Sequence, residues 1–235
     1  MAEKAKIRSL PKFAHLPQGD FDQVYAAAAG RSFAAGATVS EQGDVATYFF
    51  VLLDGRLRVT QVTAESQQVI VRIVNPGDLF GIAKALQRTD YPGTATAVSD
   101  SVVLSWPMAR WSDFMGNYPS MAMSAMQTMG TRLQEAQARM RELATEEVER
   151  RVAHAVLRLG EQSGREEAGG IRIDFPVSKQ DIAEMTGTTL HTVSRILTAW
   201  EHAGLVVGGQ QKLLLKDRRR LALIGDGEVP GLLGG

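Results

Sequence analysis

The longest regular pattern in the 235-residue chain is an apolar repeat between residues 122 and 143. Its members follow one another at alternating steps of three and four residues: Met126, Met129, Leu133, Ala136, Met140 and Leu143. Because polar side chains fill the intervening positions, a helix built here carries one narrow apolar stripe. We predict a helix of about 22 residues, roughly 33 Å long, whose stripe packs against the same helix of a second copy. The alternative is packing against the chain's own N-terminal part, and one edge of the helix can serve each purpose.

Before this helix the chain consists of short β-type runs separated by turns, most of which contain glycine. The runs are YFFVLLDG, RLRVTQVT, QQVIVRIV and ATAVSDSVVLSW. Their composition and spacing predict an antiparallel sandwich or roll over residues 33–104. After Asp113 the pattern becomes helical, and a second helix is predicted over residues 146–161 before the short strand IRIDFPV.

Residues 178–200 have the pattern of a helix-turn-helix. Ser178 followed by Asp181 predicts a capping box, Gly187 permits the tight turn, and Thr188 or Thr189 can cap the second helix. The spacing of i, i+3, i+4 and i+7 gives that second helix one buried stripe, formed by Val193, Ile196, Leu197 and Trp200.

The other face of the second helix carries short hydrogen-bonding groups and one guanidinium, the side-chain types that read base edges. We predict DNA contacts from Thr189, His191, Thr192, Ser194 and Arg195, and from Lys212 on the following β wing. The wing is predicted to turn at Gly208 and Gly209. A cationic run suited to phosphate contact surrounds the single anion Asp217 and comprises Lys212, Lys216, Arg218, Arg219 and Arg220. From residue 145 onward there are 12 basic and 13 acidic residues, so a helical hairpin without a nucleic-acid role is the alternative.

Composition excludes several classes of protein. Lys plus Arg equals Asp plus Glu at 26 each, so any nucleic-acid partner must be met by a local patch. The absence of cysteine rules out thiolate-bound iron-sulfur clusters, cysteine-containing zinc sites and disulfides. Residues 33–104 contain no histidine, which argues against a metal enzyme on a β roll, and no P-loop or nucleophile elbow is present. We therefore predict that the protein is not an enzyme and has no metal site. The lack of a signal-type apolar run near the N-terminus and of an apolar stretch of about 18 residues predicts a cytoplasmic protein.

Four segments, EQGD, LDGRLRV, NPGDLFG and HTVSRIL, resemble the CRP/FNR family of bacterial transcription regulators in type and spacing. The resemblance spans nearly the whole chain and implies an α+β fold. Its parts are a cyclic-nucleotide-binding-like β roll that acts as sensor (residues 1–116), a long dimerisation helix (117–145) and a C-terminal winged helix-turn-helix DNA-binding domain (146–235). It also implies a homodimer that binds a double-stranded DNA operator and works with RNA polymerase.

The same resemblance assigns roles on the second helix of the helix-turn-helix. The FNR branch carries E-x-x-S-R there, and this chain carries H-x-x-S-R at residues 191–195. By carry-over, Arg195 contacts guanine O6 and N7 and Ser194 makes a smaller contact near a thymine, which implies a half-site TTG with the inverted partner CAA. His191 replaces the family glutamate, so the base preferred beside this core stays open. A solvated His191 without a base contact is the alternative.

The predicted effector pocket comprises Gly81, Ile82, Ala83, Tyr91, Gly93 and Thr94. In cyclic-AMP-binding relatives this region supplies a glutamate to the ribose and an arginine to the phosphate. Ile82 stands in place of the glutamate, and Gly93 stands where the arginine belongs. Cyclic AMP is therefore not expected, unless Lys84 or Arg88 substitutes for the missing arginine.

The stretch YPGTATAV and the H-x-x-S-R helix are similar to the NnrR/DNR-type denitrification regulators, which implies a response to nitric oxide through haem. A haem iron would need a histidine, methionine or tyrosine ligand. His15 is the candidate, because His154, His191 and His202 lie outside the N-terminal domain; Tyr91 is the second choice. The alternatives are a structural or solvated His15, a small organic effector, a cyclic-nucleotide-responsive regulator or regulatory subunit, and a regulator without an effector.

Overall fold

The structure, a computed structural model, describes residues 2–14, 16–64, 66–209 and 212–232. The described helices are α1 (Ala2–Arg8), α2 (Pro11–Ala14), α3 (Gln18–Ala26), α4 (Trp111–Asn117), α5 (Pro119–Thr145), α6 (Val148–Ser163), α7 (Lys179–Thr186), α8 (Leu190–His202) and α9 (Arg218–Asp226). The strands are β1 (Ala29–Phe33), β2 (Thr38–Ser40), β3 (Tyr48–Asp54), β4 (Leu57–Val62), β5 (Gln68–Val74), β6 (Leu79–Phe80), β7 (Thr94–Ala97), β8 (Ser101–Pro107), β9 (Gly164–Glu167), β10 (Gly170–Ile173), β11 (Val206–Gly209) and β12 (Lys212–Leu215). The predicted α+β class is confirmed.

The chain divides into two compact units. The first consists of residues 1–62 and 72–135, and the second of residues 63–71 and 136–235. The domain limits predicted at residues 116 and 145 stay a prediction.

The first unit is built around two four-stranded sheets, in the orders β1-β8-β3-β6 and β2-β7-β4-β5, and β5 belongs to it from Arg72 onward. The central strand β3 buries five successive residues from Phe49 to Leu53 instead of alternating, because both of its faces are covered. Phe49 packs on one side against α4 through Trp111 and Phe114, with ring centroids 5.1 and 5.6 Å away. Phe50 stacks against Phe80 at 4.9 Å. The predicted roll of short β runs is therefore confirmed.

Sequence patterns missed the N-terminal helices and divided the last β run incorrectly. α3 packs against the roll, and the buried Trp106 indole donates to the Val24 carbonyl at 2.9 Å. The segment ATAVSDSVVLSW was predicted as one β-type run, and it contains two strands: it breaks between Ala97 and Ser101 into β7 and β8, which lie in different sheets.

The long helix α5 is longer than predicted, at 27 residues, and has two apolar edges. One edge, with Met121 and Ala125 buried and Met129 half-buried, packs on the core of the first unit. The other edge carries the predicted stripe without Met129, which was predicted to belong to it but packs on the core instead. The large side chains of this edge are exposed: Met126 58%, Leu133 60%, Met140 70% and Leu143 56%. Ala136 is exposed as well. The helix thus serves its own domain with one edge and leaves the other available.

The second unit contains α6 to α9 and a sheet in the order β11-β12-β10-β9. Helix α6 begins at Val148 and ends at Ser163, two residues later than each predicted limit. The segment SGREEAGG, predicted only as a break, contributes β9, and α9 was not predicted. Gly208 and Gly209 were predicted to form the wing turn; instead they pair with Leu213 and Lys212 inside the β11–β12 ladder, and the connecting residues 210 and 211 lie outside the described part.

Candidate nucleic-acid interface and effector segment

Helices α7 and α8 are fixed at their ends by local hydrogen bonds. The Ser178 hydroxyl accepts from the Asp181 N–H at 3.0 Å, and the Asp181 carboxylate accepts from the Ser178 N–H at 2.8 Å, which completes the predicted capping box. Gly187 ends α7 in the left-handed region at φ 61°, where glycine is favoured. Thr189, one of the two predicted caps, begins α8 by accepting from the Thr192 N–H at 3.1 Å.

Helix α8 has one fully buried face. All four predicted members of the stripe are buried, with Val193, Ile196 and Trp200 at 0% and Leu197 at 4% exposure. Trp200 also donates its indole N–H to the buried Glu149 carboxylate of α6 at 2.8 Å, and the same oxygen accepts from the Leu232 N–H at 2.8 Å. These contacts fix the rotation of α8 about its axis, so the opposite face is presented to solvent.

The predicted base-reading residues on the outward face of α8 differ in their exposure and in the hydrogen bonds that they already make. Thr189, His191 and Arg195 are exposed, and Thr192 and Ser194 are half-buried. The Thr189 hydroxyl is already used by the helix cap and lies 2.9 Å from the Thr192 hydroxyl. The Ser194 hydroxyl accepts from the Lys179 ammonium of α7 at 3.2 Å. In the described part of the chain, the Arg195 guanidinium makes no hydrogen bond or ion pair.

Not all five cations of the run beside the wing are free of an ion pair. Lys212 is exposed on β12, as predicted. Arg218 forms an ion pair with Glu161, and Asp217 caps α9 by accepting from the Arg220 N–H at 2.9 Å. Arg218 is therefore partly neutralised, and the other cations of the run remain available to phosphates.

The predicted effector segment is mostly buried. Ile82, Ala83 and Tyr91 are 2%, 0% and 5% exposed, so an apolar side chain fills the position of the family's ribose-binding glutamate. A Cβ atom on Gly93 would lie 2.7 Å from the Thr60 carbonyl oxygen, so the close approach of the backbone requires glycine there. The Thr94 hydroxyl accepts from the Gln42 N–H at 3.0 Å. Gly81, at φ 66°, packs against the Phe50 ring.

The predicted haem ligands differ in how well their surroundings suit an iron ligand. The Tyr91 hydroxyl donates to the Tyr48 carbonyl at 2.8 Å and accepts from the Tyr48 N–H at 3.1 Å, which does not suit a metal ligand. His15 lies outside the described residues. His154 faces Glu146 of the second unit at 3.5 Å. The described part of the first unit therefore offers no histidine or Tyr91 ligand that fits a haem iron.

Sequence reasoning missed a pair of guanidinium groups near the effector segment. Arg132 of α5 donates to the Leu79 carbonyl, as does Arg72 of β5 at 3.4 Å, and Arg72 pairs with Asp78 at 2.8 Å. Burial lowers the pKa of Arg132 to about 9, and the nearby Arg72 charge adds to that effect. Arg132 still carries its charge at neutral pH. In the sequence, Arg132 is one of several polar residues between the apolar positions of α5, and nothing else there indicated its contact with Leu79.

Within the described ranges, no helix is both long and apolar enough to cross a membrane. The same ranges hold no group of three or more histidine or acidic side chains that could bind a metal ion.

Comparison with family models matches residues 30–118 to the cyclic nucleotide-binding domain and residues 150–224 to the Crp-like helix-turn-helix domain. The two models occur in the order implied by the sequence, and they cover the β roll and the helix-turn-helix. The chain belongs to the CRP/FNR family.

Other CRP/FNR proteins are similar along most of their length. The CRP-like cAMP-activated global transcriptional regulator of Mycobacterium tuberculosis is 22% identical over 190 residues, covering 81% of this chain and 85% of the relative. The nitrogen fixation regulation protein FixK of Azorhizobium caulinodans is 28% identical over 191 residues, covering 80% and 76%. The crystal structure of a CRP-family transcriptional regulator from Thermus thermophilus has a TM-score of 0.70 at 25% identity, covering 83% of this chain and 96% of that one. This protein is thus a CRP/FNR-type transcription regulator with a helix-turn-helix DNA-binding domain.

Proposed function

We propose that this regulator binds a palindromic operator with half-sites TTG and CAA as a homodimer, with α8 in the major groove. The observation that carries the proposal is that α8 buries one face and exposes Arg195 on the other. Among the described residues, the Arg195 guanidinium has no hydrogen-bond or ion-pair partner. A free guanidinium can donate two hydrogen bonds to guanine O6 and N7. The H-x-x-S-R sequence of residues 191–195 supports the TTG assignment by its likeness to the FNR branch.

The homodimer is supported by the exposed stripe of α5. Its large side chains, Met126, Leu133, Met140 and Leu143, are all more than half exposed although they repeat with heptad spacing. A second copy would cover them along roughly 25 Å of helix, the rise of 17 residues. A two-fold dimer in turn fits an inverted repeat, because each subunit reads one half-site.

The response to an effector is the second part of the proposal. Binding of a small molecule in the β roll would favour dimers whose two α8 helices are spaced by one DNA turn, about 34 Å. Nitric oxide acting through haem is the leading hypothesis, with His15 as the ligand. The buried Ile82 and the close-packed Gly93 favour it over cyclic AMP, since neither can supply the polar contacts of a cyclic nucleotide. Partnership with RNA polymerase completes the proposal.

Selection of bound duplexes from random DNA tests the operator. We expect enrichment of an inverted TTG and CAA pair, and binding to the selected duplex that is at least about 1,000-fold tighter than binding to unrelated DNA at moderate salt. Each base change in a half-site should cost about 1 to 3 kcal/mol. No enriched motif, or equal affinity for all duplexes, would contradict the proposal.

The effector is tested by repeating the binding titration with haem, with haem and nitric oxide, and with cyclic AMP or cyclic GMP. A Soret band that appears with the wild-type chain and is lost in His15→Ala supports the haem hypothesis. Heat of binding with cyclic AMP in calorimetry favours the cyclic-nucleotide alternative. Equal DNA affinity under all of these conditions favours a regulator without an effector.

A further inference from the structure

Lys179 and Ser194 join the two helices of the helix-turn-helix. Lys179 is the first residue of α7, and Ser194 is the fifth residue of α8. The Lys179 Nζ donates to the Ser194 Oγ at 3.2 Å, and both side chains are half-buried. The capping box between Ser178 and Asp181 fixes the backbone on either side of Lys179, and this fixes where its side chain leaves the helix.

The carboxylates near Lys179 have other hydrogen-bond partners and do not form an ion pair with its ammonium group. The two carboxylates of α7 are already used, because Asp181 belongs to the capping box and Glu184 accepts from Gln180 at 3.0 Å. Among the described residues, no carboxylate pairs with Lys179. Its described partner is therefore a hydroxyl on the face of α8 that also carries Arg195.

This contact determines the polarity of the serine. An ammonium has three donors and no acceptor, so the Ser194 oxygen must accept in the pair. One lone pair is thereby occupied and the hydroxyl hydrogen is directed elsewhere; none of the described residues accepts it. The second lone pair remains, but the ammonium polarises the O–H bond, so the hydroxyl meets a base as a stronger donor and a weaker acceptor.

We propose that Lys179 is a positioning residue that orients the Ser194 hydroxyl hydrogen toward DNA, so that Ser194 binds better to a base that presents an acceptor. Thymine presents O4 in the major groove, whereas cytosine presents an amino group at the equivalent position. Lys179 thus makes the operator prefer thymine over cytosine at this position. The inference rests on the proposed DNA reading by α8 and adds a specificity determinant outside that helix.

A double-mutant cycle with Lys179→Met and Ser194→Ala tests this role. The operator position that Ser194 faces is the one whose thymine preference falls in Ser194→Ala. There we expect the wild type to prefer thymine over cytosine by about 3- to 10-fold, the ratio that one hydrogen bond supplies. In Lys179→Met the preference should fall to about 2-fold or less, and it should not fall further in the double variant.

Two controls separate this hydrogen bond from other contacts. Deoxyuridine in place of the thymine keeps O4 and removes the methyl group, so the wild-type preference over cytosine should persist if the hydrogen bond carries it. Lys179→Arg, which also can only donate, should retain the preference. Lys179→Glu presents a carboxylate that can only accept from Ser194, so the preference should be lost; it serves as the second variant if Lys179→Met does not fold.

The opposing result is a plain phosphate contact. In that case Lys179→Met weakens binding to all duplexes by one factor, leaves the ratio of thymine to cytosine unchanged, and reduces the salt slope by about one. That outcome overturns the inference while the operator assignment stands. Failure of the wild-type protein to bind any operator would instead overturn the proposed function.

Discussion

Arg195 and Thr189 lie on the same face near the start of α8, but their polar groups are in different states. The Thr189 hydroxyl is used in capping the helix, whereas the Arg195 guanidinium has no described partner. A side chain that already has its hydrogen bonds offers less to a base than one that must find them. At the residue scale, the residue type suggests which side chains can contact DNA. The hydrogen bonds that each side chain already makes show which of them is free to do so.

Arg195→Ala is expected to relax the guanine preference of the half-site by about 1 to 3 kcal/mol, since a bidentate base contact is lost. Competition titrations with duplexes changed at single positions measure this preference. Lys212→Ala on the wing is the matched control: it should weaken binding to all sequences alike and lower the salt slope by about one. Equal losses on all duplexes for Arg195→Ala would remove it from base reading.

Glu149→Ala is expected to destabilise the second unit by about 1 to 3 kcal/mol, because the buried Trp200 indole and the Leu232 N–H lose their acceptor. Thermal unfolding followed by tryptophan fluorescence measures the change. Glu166→Ala, at an exposed carboxylate of β9, should stay within about 0.5 kcal/mol of wild type. A Glu149→Ala chain that unfolds like wild type would contradict the supporting role of Glu149.

At the scale of the elements, the end of α5 is joined to α6 by one ion pair, and Glu146 between the two helices makes further contacts with α6. Arg158 of α6 contacts the Glu142 carboxylate through both terminal nitrogens, and the second of these distances is 3.1 Å. One turn earlier on α6, His154 lies 3.5 Å from Glu146. The Arg151 guanidinium donates to the Glu146 carbonyl at 2.8 Å. These contacts hold the angle between the two helices at the point where the chain enters the DNA-binding domain.

A double-mutant cycle with Arg158→Met and Glu142→Gln should give a coupling free energy of about 0.5 to 1.5 kcal/mol, because the pair is bidentate and partly shielded. Urea unfolding at low and high salt measures it, and the coupling should fall as salt rises. The exposed pair Arg165 and Asp174 is the control, with an expected coupling below about 0.5 kcal/mol. Equal couplings for both pairs would mean that the junction is held by packing.

At the scale of the whole molecule, the exposed stripe of α5 supports the proposed homodimer. Five of the large apolar side chains exposed in the described residues lie on this helix: Met123, Met126, Leu133, Met140 and Leu143. An exposed apolar row of this length is unusual for a monomer and costs free energy until it is covered. Covering it with the same row of a second chain also places two copies of α8 in one particle, which an inverted repeat requires.

Leu133→Glu is expected to convert the protein to monomers, because the seam would then bury an unpaired charge. Light scattering measures the mass, and affinity for the palindrome should fall by about 100-fold as the two half-sites lose their linkage. Gln127→Glu introduces the same charge away from the stripe and should leave the dimer intact. A Leu133→Glu protein that keeps twice the chain mass would place the dimer interface elsewhere.

Local patterns alone established much of this protein. The heptad spacing of α5, the Ser178 and Asp181 capping box and the buried stripe of α8 all depend on residues at most seven positions apart, so their geometry follows from helix periodicity and backbone hydrogen bonding. The order of these elements, together with HTVSRIL and the glycine turns, was enough to identify the CRP/FNR family. The inward face of α8 followed in the same way.

Only the tertiary structure decided which polar groups meet. Trp200 and Glu149 are 51 residues apart, and Lys179 is 15 residues from Ser194. Arg218 finds Glu161 at a separation of 57 residues. The sequence assigned each of these side chains to a face, but a contact requires the crossing of two elements, and that crossing is set by the packing of the core between them. For the same reason the contacts of the half-buried Arg132, the division of the last β run between two sheets and the position of Gly208 and Gly209 within the wing ladder could be read only from the folded chain.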